Sequence, residues 1–189
     1  MARIEPVPLR EWPKEMRTAL AALTPPEPRH PPMPTEDRPK ALNTLGSFAH
    51  YPELAHAFFR FNGHVQRATT LSLRQREIII LRLATLRKVD YEWAQHVIMA
   101  RDVGMTDEEI GRVAYGPDAP FLDPLEAAII RSVDELIKDG AIGDETWAVL
   151  TKELSTQQVM DLIFTVGAYE TIGFFMRSFA MDMDDYLRG

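Results

Sequence analysis

The chain has 189 residues, a formal net charge of −7 and no cysteine. That length suits one domain with a substantial core, and the missing thiol excludes disulfides, thiolate catalysis and cysteine-based zinc sites. The acidic balance argues against nucleic acid as a partner, because phosphate binding needs a concentrated basic surface.

The N-terminal stretch MARIEPVPLREW has no apolar signal core. No segment reads as the ~20 apolar residues that span a bilayer, since Arg82 interrupts the best candidate, Ile78 to Leu86. The expectation is a soluble cytoplasmic protein without membrane partners.

Leu9, Trp12, Met16, Leu20 and Leu23 recur at three- and four-residue spacing, predicting an amphipathic helix with Pro13 in its first turn. Thr24 to Pro39 carries seven of the fourteen prolines. Proline fixes φ and removes an amide donor, so this stretch predicts an extended strap across the helical body or a neighbouring subunit. The organisation expected is residues 1–40 as N-terminal helix and strap, and residues 41–189 as a helical domain.

Pro52 suits a first helical position, followed by an apolar stripe of Leu54, Phe58, Phe61 and Val65. Ser72 with Gln75 forms a capping-box signature for a helix to about Lys88, apolar nearly all round and hence central in a bundle. Asp90 can cap the next helix, which ends near Gly104. Thr106 with Glu109 opens a short helix to about Tyr115, and Asp123-Pro124 opens one to about Asp139. Asp144 starts a helix to Leu154, and Ser155 with Gln158 starts the last, about Thr156 to Ala180. No segment alternates like a strand. The fold class is all-α, a compact bundle of six to eight helices. The openings LSLRQREIIIL and LSTQQVMDLIF are alike, which leaves an internal duplication open.

Arg74, Arg76 and Arg82 share one helix but are interrupted by Glu77 and a run of isoleucines, and read as a solvated or interface face. Glu77 has Ile80, Leu81 and Ala84 as helical neighbours, so its carboxylate points with an apolar face and needs a partner or stays protonated. A structural ion pair with Arg74 or Arg82 would satisfy it. Glu92 and His96 stand four apart and share a helical face, a pairing common on helix surfaces and worth only tenths of a kcal/mol. Tyr91 and Trp93 are large enough to wall a pocket beside them. A tight turn at Lys88 to Asp90 would bring Glu77 next to this face, where an imidazole oriented by a carboxylate can exchange a proton near neutral pH.

Arg76-Glu77, Ile80-Leu81-Arg82, Ala84, Tyr91-Glu92-Trp93, His96 and Gly104-Met105-Thr106 with Glu108-Glu109-Ile110 together resemble the carboxymuconolactone decarboxylase family. The resemblance is firm from about Leu71 to Val113 and looser through the C-terminal helix. It implies an alkylhydroperoxidase-like bundle. One branch of that family does thiol redox chemistry with C-x-x-C-x-x-x-H and a relay glutamate; the other acts on a carboxylated lactone without metal or organic cofactor. Aligned on the histidine, His96 takes its slot, Glu77 takes the relay-glutamate slot, and Val89 and Glu92 take the cysteine slots. The resemblance therefore implies the cysteine-free decarboxylase-type branch. The N-terminal helix and strap depart from the compact family pattern.

His50, His56 and His64 lack flanking carboxylates in a ligand pattern, so no metal is expected. Phe58, Phe59, Phe61, Phe174, Phe175 and Phe179 read as core or subunit interface. Tyr169 and Glu170 sit after Gly167 in an apolar helix, where one of them could reach the pocket; the alternative is a hydrogen bond within the bundle. The expected function is a cofactor-free lyase-type enzyme, with His96, Glu77 and Glu92 catalytic, Tyr91, Trp93 and Tyr169 binding a small organic acid or lactone, and a homo-oligomeric assembly. The alternatives are a non-catalytic helical oligomer that binds a small molecule and, against the missing thiols, a peroxide-related redox protein.

Overall fold

The computed structural model describes residues 2–32, 34 and 40–187. Among these, every regular element is helical and no strand occurs. The chain forms two compact units, Met1–Thr69 with Phe174–Gly189, and Thr70–Gly173.

In the first unit a 3₁₀ turn (Leu9–Glu11) precedes α1 (Glu15–Ala21), then come α2 (Leu42–Phe48), α3 (Pro52–Gly63) and a π turn (His64–Ala68). The single N-terminal helix expected from periodicity is broken. Pro13 drives the preceding Trp12 to an extended ψ of 134°, and Trp12 instead donates Nε1–H to the Val7 carbonyl at 2.8 Å. Leu9 is left exposed, whereas Met16 and Ala19 are buried.

Helix α2 has no forerunner in the sequence reading. Its start follows a positive φ of 50° at Ala41, and its first amides, Leu42 and Asn43, donate to the carboxylate of Asp184 at 3.1 and 2.9 Å. The cap comes from the far end of the chain. Helix α3 begins at Pro52 as expected, but the predicted stripe holds only in part: Val65 is buried and Phe58 and Phe61 are half-buried, whereas Leu54 is exposed and Ala55, Phe59 and Gly63 are buried instead. Close approach explains the choice. A Cβ on Gly63 would lie 2.8 Å from the carbonyl oxygens of Ala22 and Leu23, just past the end of α1. Phe48 gathers Phe58, Phe59 and Phe175, with ring centroids at 5.6, 4.9 and 4.7 Å. In the expected strap, the Arg29 and His30 amides donate to the Arg67 carbonyl; residue 33 and residues 35–39 lie outside the described residues.

The second unit is built on α4 (Leu73–Arg87), against which α5 (Asp90–Asp102), α6 (Asp107–Tyr115) and α7 (Pro124–Asp139) pack, with α8 (Asp144–Glu153) on α7. Every residue from Arg76 to Ala84 is buried, so α4 occupies the centre that its all-round apolar character predicts. Burying side chains such as Ile78, Ile80 and Leu83 completely contributes about 1.5–3 kcal/mol each. Local chemistry starts the helices. Ser72 and Gln75 exchange hydrogen bonds at 3.1 and 2.9 Å, Thr106 and Glu109 do so at 3.3 and 2.7 Å, and Asp123 accepts from Leu125 at 2.9 Å. Each such cap is worth about 1 kcal/mol.

The turn between α4 and α5 is tighter than expected. Lys88 adopts a left-handed φ of 53°, and the Val89 amide reaches back to the Ala84 carbonyl at 2.9 Å, the six-to-one bond of a helix-ending motif. The next helix restarts at once, so Val89 takes the cap position and Asp90 is already helical. The arginines of α4 form no solvated face. Arg82 pairs with Asp134 at 2.6 and 2.7 Å, Arg74 with Glu109 and Glu126, both at 2.6 Å, and Arg76 is completely buried.

Helix α9 (Thr156–Ser178) corrects the expectation about membrane-length segments: it has 23 residues and a stretch of mean hydropathy 1.4, long and apolar enough to cross a bilayer. Half of that stretch is buried within the protein. Asp161 on α9 accepts from the Thr70 amide and hydroxyl, both at 2.6 Å, which are the bonds of a core helix.

Candidate active site

All the residues of this site lie in the second unit. The reversal at Lys88 lays α5 back along α4 and sets His96 against Glu77. His96 Nδ1 and Glu77 Oε2 are 2.7 Å apart. A carboxylate only accepts, so Nδ1 carries the proton and Nε2 is the free lone pair of the neutral ring. Arg76 places Nε and Nη2 on the other Glu77 oxygen, at 3.0 and 2.6 Å. Adjacent residues on a helix ordinarily point apart; here both are buried because α4 is covered on all sides, and the long arginine side chain folds back to its neighbour. Arg76 and Glu77 are 0% exposed and His96 is 4% exposed.

Electrostatics separates the two glutamates. Burial pushes the Glu77 carboxyl up, but the charges and hydrogen bonds of His96 and Arg76 outweigh it and hold the group below its ordinary range. Glu92, one turn before His96, is also fully buried, and neither carboxyl oxygen has a hydrogen-bond partner among the described residues. Burial pushes this carboxyl well above its ordinary range, and the nearby Glu170 carboxylate adds to the effect. One acid is thus an anion beside a histidine, and the other favours its neutral form. Two carboxyls driven apart in this way suit opposite proton-transfer roles.

Of the predicted neighbours, Tyr169 lies edge-on to His96 with ring centroids 5.1 Å apart and an interplanar angle of 83°. Tyr91 is buried, and Trp93 is only half-buried. The ion-pair alternative for Glu77 holds with a different arginine, Arg76 rather than Arg74 or Arg82. Sequence reasoning missed Arg76 in that role, and it missed the Arg87–Glu170 ion pair, where Arg87 Nε donates to Glu170 at 2.8 Å. The adjacency of Arg76 and Glu77 was the available signal for the first; nothing local signals the second. Among the described residues, no group of three or more His, Asp or Glu side chains is placed to hold a metal ion. A separate cleft of about 200 Å³ is lined by Arg74, Glu109, Arg112, Phe121 and Glu126 among others. It contains none of the trio, and Arg74 is already neutralised there by two carboxylates.

The carboxymuconolactone decarboxylase family matches residues 52–135, a span that includes Glu77, Glu92 and His96. No curated protein matches the chain. Solved structures share its fold. A peroxidase-related protein from Silicibacter sp. TM1040 is 17% identical with a TM-score of 0.70, covering 78% of each chain. A peroxidase-related protein from Ralstonia eutropha JMP134 with an alkylhydroperoxidase AhpD core is 14% identical with a TM-score of 0.68, covering 87% of this chain and 96% of its own. The debrominase Bmp8 is 12% identical with a TM-score of 0.74, covering 98% of this chain and 94% of its own. That last likeness takes in nearly the whole chain. Across α3 to α7 the chain therefore matches the carboxymuconolactone decarboxylase family, and its helices share the alkylhydroperoxidase-like fold.

Proposed function

We propose that this chain is an acid/base enzyme acting on a small carboxylated or lactone substrate, by decarboxylation or a related isomerisation. The observation that carries the reading is the buried array Arg76–Glu77–His96, with Nδ1 of His96 2.7 Å from Glu77. Glu77 fixes the ring and its tautomer, and stabilises the imidazolium once Nε2 has taken a proton. Arg76 keeps Glu77 anionic.

In a decarboxylation the bond between carbon and carboxylate breaks. Its electron pair moves into a conjugated lactone carbonyl, giving a dienolate and carbon dioxide. The imidazolium of His96 then delivers a proton to the carbon, so one proton is consumed for each carbon dioxide released. An isomerisation uses the same ring first as base and then as acid, with no net proton. Neutral Glu92 is suited to hydrogen-bond the oxygen on which negative charge develops. A thiol peroxidase cycle needs a sulfur nucleophile, and this chain has no cysteine.

The test is turnover of muconolactone-type acids by the purified protein, followed by carbon dioxide release and ultraviolet absorbance. Turnover that disappears in His96→Asn supports the reading. Turnover by no such acid, or equal turnover without His96, overturns it in favour of a small-molecule-binding role.

A further inference from the structure

Helix α9 runs past α5 in the opposite direction. A Cβ on Gly173 would lie 3.2 Å from Val89 Cγ2, and the Tyr169 ring meets the His96 ring. Glu170 falls between the first pair of contacts and the second on α9, as Glu92 does on α5. Glu170 is near enough for its charge to act on Glu92. Glu170 is committed elsewhere: Arg87, in the last turn of α4, donates Nε to it at 2.8 Å and Nη2 to its other oxygen. His96 is committed through Nδ1 to Glu77, and Glu77 in turn to Arg76. Glu92 alone of these carboxyls has both oxygens buried and unbonded among the described residues.

Such a group destabilises the protein that carries it, which is expected where the missing partner is a ligand. Burial and the Glu170 charge favour its protonated form, with one O–H to donate and a carbonyl oxygen to accept. We infer that Glu92 is the ligand-recognition acid of this site, donating its O–H to a carboxylate or lactone-carbonyl oxygen of a small ligand, with Glu170 as a positioning charge. The choice of ligand class rests on the proton-transfer reading above. The donor role follows from the burial of Glu92, its missing partner and the nearby Glu170 charge. An acid paired with a carboxylate makes a strong charge-assisted hydrogen bond, whereas an ammonium ligand would require the ionised form that Glu170 opposes.

The experiment has a ligand-free arm and a binding arm. Infrared difference spectra between wild type and Glu92→Gln at neutral pH should contain a protonated-carboxyl C=O band. Glu170→Gln should move the titration of that band to lower pH, an effect that a merely structural Glu170 would not produce. Binding of benzoate and γ-butyrolactone is then measured by ligand-observed NMR and calorimetry. Wild type and Glu92→Gln should bind both, and Glu92→Leu should bind roughly tenfold more weakly or worse while melting at a higher temperature. Wild type should lose benzoate as pH rises and Glu92 ionises, and Glu92→Gln should not. The inference is overturned by absence of the band, by wild-type affinity in Glu92→Leu, or by wild type binding neither probe. If turnover depends on His96 while Glu92→Leu binds normally, this inference alone fails. If Glu92→Leu loses the probes and no acid is turned over, the proton-transfer reading alone fails.

Discussion

Nδ1 of His96 on α5 lies 2.7 Å from Oε2 of Glu77 on α4, and Arg76 occupies the other oxygen of that glutamate. The arrangement leaves Nε2 as the ring atom available for proton exchange. His96→Asn keeps size and some hydrogen bonding but removes the titrating nitrogen. Its turnover should fall by about 10²–10⁴ with an unchanged circular dichroism spectrum. The double variant with Glu77→Gln should be scarcely slower than the slower single one, because the two residues act as a unit. Full turnover in His96→Asn would remove the ring from the chemistry.

Glu77 also ties stability to acid. Its carboxyl is held below the ordinary value of 4.5 in the folded protein, so the stabilisation is present above about pH 4.5 and is lost as pH falls through the lower folded value. Melting temperatures measured from pH 7 downward should drop more steeply for wild type than for Glu77→Gln. Parallel curves would contradict an anionic Glu77.

Glu92 has the opposite sign. Its carboxyl is held well above 4.5, so its effect on stability is neutral in acid and turns unfavourable as pH rises from about 4.5 toward the folded value. Glu92→Gln should therefore melt above wild type near pH 7, and the gain should shrink as pH falls toward 4. A gain that persists undiminished in acid would contradict a protonated Glu92.

Arg76 is completely buried against Glu77. Arg76→Met would leave an uncompensated carboxylate in the core and should cost about 3–5 kcal/mol in urea unfolding. Loss of less than about 1 kcal/mol would fit an exposed pair instead.

We propose a homo-oligomer, since α9 exposes Met160, Ile163 and Phe164 on one side and contiguous apolar surface of this kind marks contacts between chains. Sedimentation velocity at micromolar concentration should give an assembly larger than one 21.5 kDa chain. A stable monomer would refute it, and Phe164→Glu should produce one.

Helix starts in the second unit were legible in the sequence because their causes are local. Ser72 with Gln75, Thr106 with Glu109 and Asp123 before Pro124 each satisfy amides within three residues. The central position of α4 was legible too, since a helix apolar nearly all round has no other place. Spacing and family resemblance singled out His96, Glu77 and Glu92, and spacing allows their meeting because only the short turn at Lys88 separates two regular helices.

What the sequence by itself left open are the choices that depend on distant segments. Which arginine answers Glu77 was undetermined, because Arg74 and Arg82 are drawn away by Glu126, Glu109 and Asp134 on α6 and α7. The buried face of α3 was set by how closely α1 approaches Gly63, and α2 owes its cap to Asp184. The different fates of Glu77 and Glu92 had the same origin. Both are buried glutamates on neighbouring helices, and local pattern treats them alike. Only packing placed Arg76 and His96 beside one and Glu170 beside the other, and the charge state of a buried carboxyl follows its neighbours in space.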